Sequence, residues 1–139
     1  MHSALARWID IAHHDDDRGS LSVLEERAFP FEVKRIFYMY RVPDGAERGG
    51  HAHMYEQQCL VTLAGSFALD VSDGATTETF VLDNPNRALY VPPMRWVRLH
   101  RFQPGTVVLV ICDTVYDPEH VVSNWDEFRR LTHATSQTT

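Results

Sequence analysis

The chain has 139 residues, of which 44% are hydrophobic and 23% charged, and its formal net charge is −6 at pH 7. This length suits one domain with a real core, and the negative charge argues against a nucleic-acid-binding surface, which needs a basic face. No apolar run approaches the roughly 20 residues of a membrane span and no signal peptide is recognisable. We therefore expect one cytoplasmic domain over residues 1–139 that binds neither nucleic acid nor membranes.

Eight short strand-like runs follow one another along the chain. They are LSVLEE, FEVKRIFYMYRV, QQCLVTLAG, SFALDVSDG, TTETFVL, ALYVPP, RWVRLHRF and TVVLVICD. Turn signals separate them, and SDGA at residues 72–75 predicts a tight hairpin because Asp-Gly supplies the positive φ that such a turn needs. No long helical pattern lies between the runs, so the sequence predicts an all-β sandwich or barrel.

The second run, FEVKRIFYMYRV, has two faces that differ in character. One face carries Val33, Arg35, Phe37, Met39 and Arg41, and the other carries Lys34, Ile36, Tyr38 and Tyr40. Neither face is purely polar, so we expect one to line a cavity and the other to pack on a second sheet or subunit.

A short helix is predicted near the C-terminus, in SNWDEFRRL at residues 123–131. Ser123 or Asn124 serves as the N-cap, acidic residues follow in the first turn, and arginines occupy the last turn. Residues 132–139 offer nothing to pack, so we expect an ordered core over about residues 10–131 and a frayed tail after it.

The two cysteines, Cys59 and Cys112, both lie inside apolar runs. A thiol in such surroundings usually behaves as a small buried hydrophobic side chain. We therefore expect both cysteines to be structural.

The segment RGGHAH, residues 48–53, carries the strongest functional signal. His51 and His53 are two residues apart on a predicted strand, so their side chains point to the same face and can meet one ligand. Three interpretations are open: half of a metal site, two histidines held by hydrogen bonds at a barrel mouth, or an acid/base pair. Imidazole suits the third because its pKa of about 6.5 lets it take and give protons near neutrality.

The spacing of glycines and histidines here reproduces the first signature of the cupin superfamily, with Gln58 in place of the usual glutamate. In metal-binding cupins that glutamate and both histidines are ligands, and a later strand adds a third histidine. The best-aligned later position holds Val97, and His100 is expected to face away. Two imidazoles, an amide and a valine are poor ligands for zinc or iron, so we predict no metal and no other cofactor.

Arginines add local positive charge to an acidic chain. Arg35, Arg41 and Arg48 lie around the histidine strand, and Arg95, Arg98 and Arg101 lie three apart. Guanidinium groups bind anionic small molecules well, but arginines are also common on solvated strand edges. The pattern leaves both interpretations open.

Seven segments resemble, in chain order, the sugar nucleotide 3,4-ketoisomerases, small cupins similar to the C-terminal part of WxcM-type enzymes. They are DRGSL (17–21), PFEVKRIFY (30–38), RGGHAH (48–53), LAGSF (63–67), LYVPPMRW (89–96), YDPEH (116–120) and WDEF (125–128). The resemblance implies a homodimeric double-stranded β-helix (jelly roll) that needs no metal. It also implies a substrate, thymidine-diphosphate-linked 4-keto-6-deoxyglucose, whose ketone moves from C4 to C3 through an enediol.

The resemblance also implies roles for individual residues. His51 is expected to carry the carbon-bound proton, and His53 to serve the sugar oxygens or position His51. Arg35 and Arg48 are expected to bind the diphosphate or sugar oxygens, because guanidinium binds phosphate through two hydrogen bonds. Tyr38 matches the second tyrosine of a family pair and is a third candidate catalytic residue. The remaining candidate substrate-binding residues are Gln58, Arg41 and Trp96.

Four positions depart from the family pattern. A proton-relaying tyrosine is Phe37 here, an aromatic residue is Gly50, a histidine is Val97, and an arginine near the C-terminus is Ser123. These changes are compatible with a changed substrate, a changed stereochemical outcome or lost catalysis. The alternatives to the ketoisomerase are therefore a sugar nucleotide epimerase of the related cupin group and a non-catalytic sugar nucleotide-binding cupin.

Overall fold

The computed structural model describes residues 5–138, with side chains described as far as residue 133. The strands are β1 (Arg7–Asp10), β2 (Ala12–Asp16), β3 (Gly19–Val23), β4 (Arg35–Met39), β5 (Arg48–His53), β6 (Gln58–Ala64), β7 (Phe67–Ser72), β8 (Thr77–Leu82), β9 (Arg87–Val91), β10 (Trp96–His100), β11 (Val107–Cys112) and β12 (Val121–Val122). One α-helix, α1 (Trp125–Thr138), follows them. Within the described range, no helix has the length and hydrophobicity needed to cross a membrane.

Two antiparallel five-stranded sheets face each other. One has the strand order β1-β9-β6-β11-β4, and the other has the order β12-β5-β10-β7-β8. From β4 to β7, and again from β8 to β12, each strand lies in the opposite sheet from the one before it. This alternation winds the chain into a jelly roll, which confirms the predicted all-β double-stranded β-helix with a C-terminal helix.

Apolar side chains from both sheets fill the space between them. Phe67, Leu69, Leu89 and Val110 are each at most 1% exposed. Burying one such side chain stabilises the fold by about 1.5–3 kcal/mol. The core therefore fixes the distance between the two sheets, and with it the positions of the polar side chains at one end of the core.

Cys59 and Cys112 are both buried free thiols, as predicted. Burial raises the pKa of each thiol to about 12. Both cysteines therefore stay protonated near neutrality and contribute to packing.

All eight predicted runs contain a strand in the structure. They correspond to β3, β4 and β6 to β11, and the predicted hairpin at residues 72–75 joins β7 to β8. Gly74 in that turn has a φ of 95°, and a side chain there would collide with Thr132. The sequence does not predict β2, whose residues, AHHDD, are all exposed and show no apolar alternation. It pairs only with β3, so these two strands form a separate hairpin on the surface.

Strand β5 is irregular directly before its two histidines. The neighbouring strand β10 pairs Val97 with His51 and Arg98 with Gly49, so Gly50 has no partner of its own. Gly49 and Gly50 have φ angles of 87° and 77°, and a side chain at Gly49 would lie 2.7 Å from the Val97 carbonyl oxygen. Two adjacent glycines therefore permit a β-bulge at this position.

Helix α1 packs on the second sheet through aromatic side chains. The ring of Phe128, which is fully buried, lies 5.7 Å from that of Trp96 on β10. Asn124 is the N-cap, because its side-chain oxygen accepts a 2.9 Å hydrogen bond from the backbone N–H three residues later. The helix is longer than predicted: it runs to Thr138, through residues that were expected to fray. Thr132 in this extension is partly buried beside the β7–β8 turn.

Candidate active site

His51 and His53 point to the same side of β5, as the strand period predicts. Their ring centroids lie 4.9 Å apart with the planes nearly perpendicular, and both side chains are largely buried. They open into a cavity of about 320 Å³ that is also lined by Arg35, Phe37 and Tyr116. Two histidines and an arginine thus converge on one space large enough for part of a small molecule.

A smaller cavity of about 90 Å³ lies on the core side of His51. Phe37 and His51 line both cavities, and Arg48, Gln58 and Val97 line only the smaller one. Val97 is 6% exposed and directly opposite His51, at the position where a metal-binding relative would have a third histidine. Among residues 5–138, no three His, Cys, Asp or Glu side chains are grouped so that they could hold a metal ion.

A buried carboxylate, which the sequence analysis did not identify, lies next to His53 in this site. Glu56 lies in the loop between β5 and β6 and is 5% exposed. It accepts hydrogen bonds from Gln58 Nε2 at 2.5 Å and from Thr114 Oγ1 at 2.6 Å. Its Oε2 also lies 3.6 Å from Nδ1 of His53. Gln58, which stands at the position of the usual cupin glutamate, therefore carries no charge itself and instead donates a hydrogen bond to the carboxylate of Glu56.

Arg35 stands between this carboxylate and the larger cavity. Its Nη2 donates to Glu56 Oε2 at 3.2 Å and to the Cys112 sulfur at 3.6 Å, while its buried Nε has no hydrogen-bond partner. The guanidinium lies over the rings of Phe37 and Tyr116, at 5.0 and 5.4 Å from their centroids. These contacts fix the cation beside the histidines.

The surroundings keep both imidazoles neutral near pH 7. Burial lowers the pKa of His51 below its ordinary value, against a hydrogen bond with the Gly49 backbone and the charge of Glu56, which raise it. Burial also lowers the pKa of His53; Glu56 opposes this shift, while His51 and Arg35 add to it. A neutral imidazole has one nitrogen free to accept a proton, so both residues can act as bases.

Two predicted site residues lie away from the histidines, which corrects the predicted site. Tyr38 is 63% exposed and stacks on Tyr40, because its neighbour Phe37 faces inward and successive strand residues alternate. Trp96 faces outward for the same reason and packs against Trp125 and helix α1.

Arg41 lies in an adjoining groove. Strand β4 ends before Arg41, whose φ is 56°, so the strand alternation that placed it beside Arg35 no longer applies. The groove has a volume of about 260 Å³ and is lined by Tyr38, Arg41 and Arg48 among others. Because Arg48 also lines the smaller cavity, the groove adjoins the histidine site.

The arginine of β10, Arg98, serves the outer surface instead. Arg98 bonds Asp70 and Glu47, and Nε2 of His100 lies 2.9 Å from Asp70. Although burial opposes it, hydrogen bonds from His100, Thr79 and Arg98 lower the pKa of Asp70 to about 2. His100 therefore faces away from the site, as predicted.

Comparison with known proteins agrees with this geometry. The family model described as FdtA, WxcM-like, C-terminal matches residues 4–133. A TDP-4-oxo-6-deoxy-alpha-D-glucose-3,4-oxoisomerase from Aneurinibacillus thermoaerophilus is 35% identical over 83% of this chain and 84% of its own. A 3,4-ketoisomerase from Helicobacter canadensis superposes with a TM-score of 0.89 and 31% identity, covering 92% of this chain and 97% of the other.

A third similar protein was solved with a sugar nucleotide bound. It is a histidine-to-asparagine variant of the 3,4-ketoisomerase QdtA from Thermoanaerobacterium thermosaccharolyticum, in complex with TDP-4-keto-6-deoxyglucose. Its TM-score is 0.92 at 25% identity, over 96% of this chain and 97% of the other. With the family match spanning nearly the whole chain, these similarities give one answer: the chain belongs to the FdtA family of WxcM-like cupins.

Proposed function

We propose that this protein is a TDP-sugar 3,4-ketoisomerase that converts TDP-4-keto-6-deoxyglucose into its 3-keto isomer without a metal. The observation that carries the proposal is the pair of neutral imidazoles, His51 and His53, which share one cavity with the Arg35 guanidinium. The named activity of the relatives supports the substrate class. The same names make the epimerase alternative less well supported.

The reaction moves two protons and needs no external electrons. The C4 carbonyl acidifies the hydrogen on C3, so a base can remove that proton and leave an enediolate. C4 then takes a proton, while the proton of the C3 hydroxyl passes to the oxygen on C4. The ketone thereby moves from C4 to C3 with no change in composition.

The positions of the two histidines suggest how they divide this work. His51 lines both cavities and is the deeper of the two, so we assign it the proton that moves between C3 and C4. His53 lines only the larger cavity, beside Arg35, so we assign it the protons of the sugar oxygens. The fixed charge of Arg35 stabilises the enediolate oxygen.

The arginines outside this cavity suit the other end of the substrate. Arg48 is exposed and lines both the smaller cavity and the groove that contains Arg41. We assign these two arginines to the diphosphate, which guanidinium groups bind with two parallel hydrogen bonds. Gln58 donates a hydrogen bond to Glu56, which fixes its side chain in the lining of the smaller cavity.

We also propose that the protein is a homodimer. Ile36 and Tyr38 project from the outer face of β4, and Tyr40, just after the strand, stacks on Tyr38. These three side chains are 56%, 63% and 54% exposed. Strand β4 is an edge of its sheet, so this apolar face and the unpaired strand edge lie side by side. A second copy related by a two-fold axis would cover both. The two free thiols suit a reducing compartment and support assignment to the cytoplasm.

One experiment tests the reaction. The protein is incubated with TDP-4-keto-6-deoxyglucose in heavy water, and C3 and C4 are followed by NMR. We expect deuterium at C4 of a 3-keto product, and a His100→Asn variant, altered on the outer face, should behave like the wild type. Binding without any exchange of carbon-bound hydrogen would favour the non-catalytic binding protein, and inversion at one carbon without movement of the ketone would favour an epimerase.

A further inference from the structure

Among the residues that the structure describes, Glu56 is the acidic group that faces the histidine site, and the proton transfers proposed above give it no role. An ionised carboxylate is costly to bury unless charges and hydrogen bonds compensate it. In this structure the compensation comes from Arg35, Gln58 and Thr114. The network leaves the site with one fixed negative and one fixed positive charge beside two neutral imidazoles.

The two oxygens of this carboxylate have different partners. Oε1 accepts from the Thr114 hydroxyl, which anchors the group to the loop after β11. Oε2 accepts from Gln58 and Arg35 and faces Nδ1 of His53 at 3.6 Å. That last distance is longer than a hydrogen bond, but it brings a full negative charge to one particular ring nitrogen. Every contact with the catalytic cavity is therefore made through one oxygen.

We propose that Glu56 is a positioning residue for the isomerisation: its Oε2 keeps the proton of His53 on Nδ1 and directs Nε2, as the proton acceptor, toward the sugar. This inference rests on the proposed function. When Nδ1 carries the proton, Nε2 takes the proton of the C3 hydroxyl and then gives it to the oxygen on C4, so His53 ends the cycle unchanged. During the transfer the carboxylate stabilises the imidazolium, as a carboxylate does behind the histidine of a serine protease.

The surrounding charges support this role. The groups that face Glu56 are Arg35 from β4, His51 and His53 from β5, and Cys112 from β11. Burial lowers the pKa of His53, and Glu56 is the group that opposes this shift, while Arg35 and His51 reinforce it. Loss of the carboxylate charge would leave Arg35 uncompensated beside His53 and make its protonation harder.

The test compares Glu56→Gln, which keeps the shape of the side chain and removes its charge, with the wild type. The matched control is Glu119→Gln, which removes a charge from an exposed acid. NMR of ¹⁵N-labelled imidazoles reports the tautomer and pKa of His53 in the protein without substrate. The pH profile of turnover on TDP-4-keto-6-deoxyglucose is measured in parallel.

We expect Glu56→Gln to shift the acidic limb of the pH profile to lower pH and to slow turnover at least tenfold. Its His53 should lose the preference for a proton on Nδ1, while Glu119→Gln should match the wild type. A slower variant with an unchanged tautomer and pH profile would show that Glu56 is merely structural, and unchanged turnover would also overturn the proposal. If Glu56→Gln does not fold, Glu56→Asp replaces it, because the shorter side chain keeps the charge but moves it away from Nδ1 of His53. The same NMR criteria then apply. Should the wild type not turn over this substrate, the proposed function fails, whereas the tautomer of His53 still tests Glu56.

Discussion

Replacing each histidine in turn by asparagine should separate the two proton transfers. Asparagine is polar and smaller than histidine, and neither imidazole belongs to the apolar core, so both variants are expected to fold. His51 lies between the two cavities, and the His53 ring lies beside it at a centroid distance of 4.9 Å. A positioned general base is worth roughly 10²- to 10⁴-fold in rate. At 1.36 kcal/mol per tenfold, removing it should raise the barrier by about 2.7–5.4 kcal/mol.

The assay is the rate at which solvent deuterium enters C3 and C4 of TDP-4-keto-6-deoxyglucose. His51→Asn should abolish this exchange while still binding the sugar nucleotide. His53→Asn should leave measurable exchange with slower formation of the 3-keto sugar, because the carbon-bound proton still has its base. Because burial lowers the pKa of His51, wild-type exchange should persist below pH 6.5 and fall only at a more acidic pH. Equal residual exchange in both variants would refute the division of labour.

Three further predictions concern the cavity, the metal and the assembly. Phe37→Tyr places a hydroxyl at the boundary of the two cavities, beside His51. If this chain lacks only the proton-relaying tyrosine of the family pattern, the variant should form the 3-keto sugar at least tenfold faster in a steady-state assay. No change in rate would mean that protons move by another route. Turnover should survive dialysis against a chelator, because Gln58 and Val97 replace good ligands, and loss of activity restored by one metal would contradict this. Ile36→Arg should convert a dimer into a monomer in light scattering, whereas a wild type with the mass of one chain would rule out the proposed interface.

How far sequence reasoning reached depended on whether strand periodicity applied. The alternation of FEVKRIFYMYRV correctly grouped Arg35 with Phe37 on one face of the strand and Ile36 on the other, and the structure shows that the first face is the inner one. The same alternation requires Tyr38 to face outward, and its assignment to the site came only from a family pattern. Trp96 follows the same logic, since its neighbour Val97 is in the core.

Residues in loops could not be placed by any period. Glu56 belongs to the loop between β5 and β6, and its burial depends on Arg35 and Thr114, which are distant in sequence. Tyr116 reaches the cavity from the segment after β11 for similarly non-local reasons. An acid two residues before Gln58 was the available signal, but a glutamate in a loop is usually solvated.

The bulge at Gly49 and Gly50 changes how the motif RGGHAH must be counted. In a regular strand, Arg48 and His51 would project to opposite faces because they are separated by an odd number of steps. Both line the smaller cavity, so the unpaired glycine reverses the parity of the strand between them. Deleting one of the two glycines would therefore keep the arginine and both histidines in the chain but restore the regular alternation between them. Either the arginine or both histidines would then point to the outside. Among related sequences, an insertion or deletion at this point would alter the active site more than most substitutions within it.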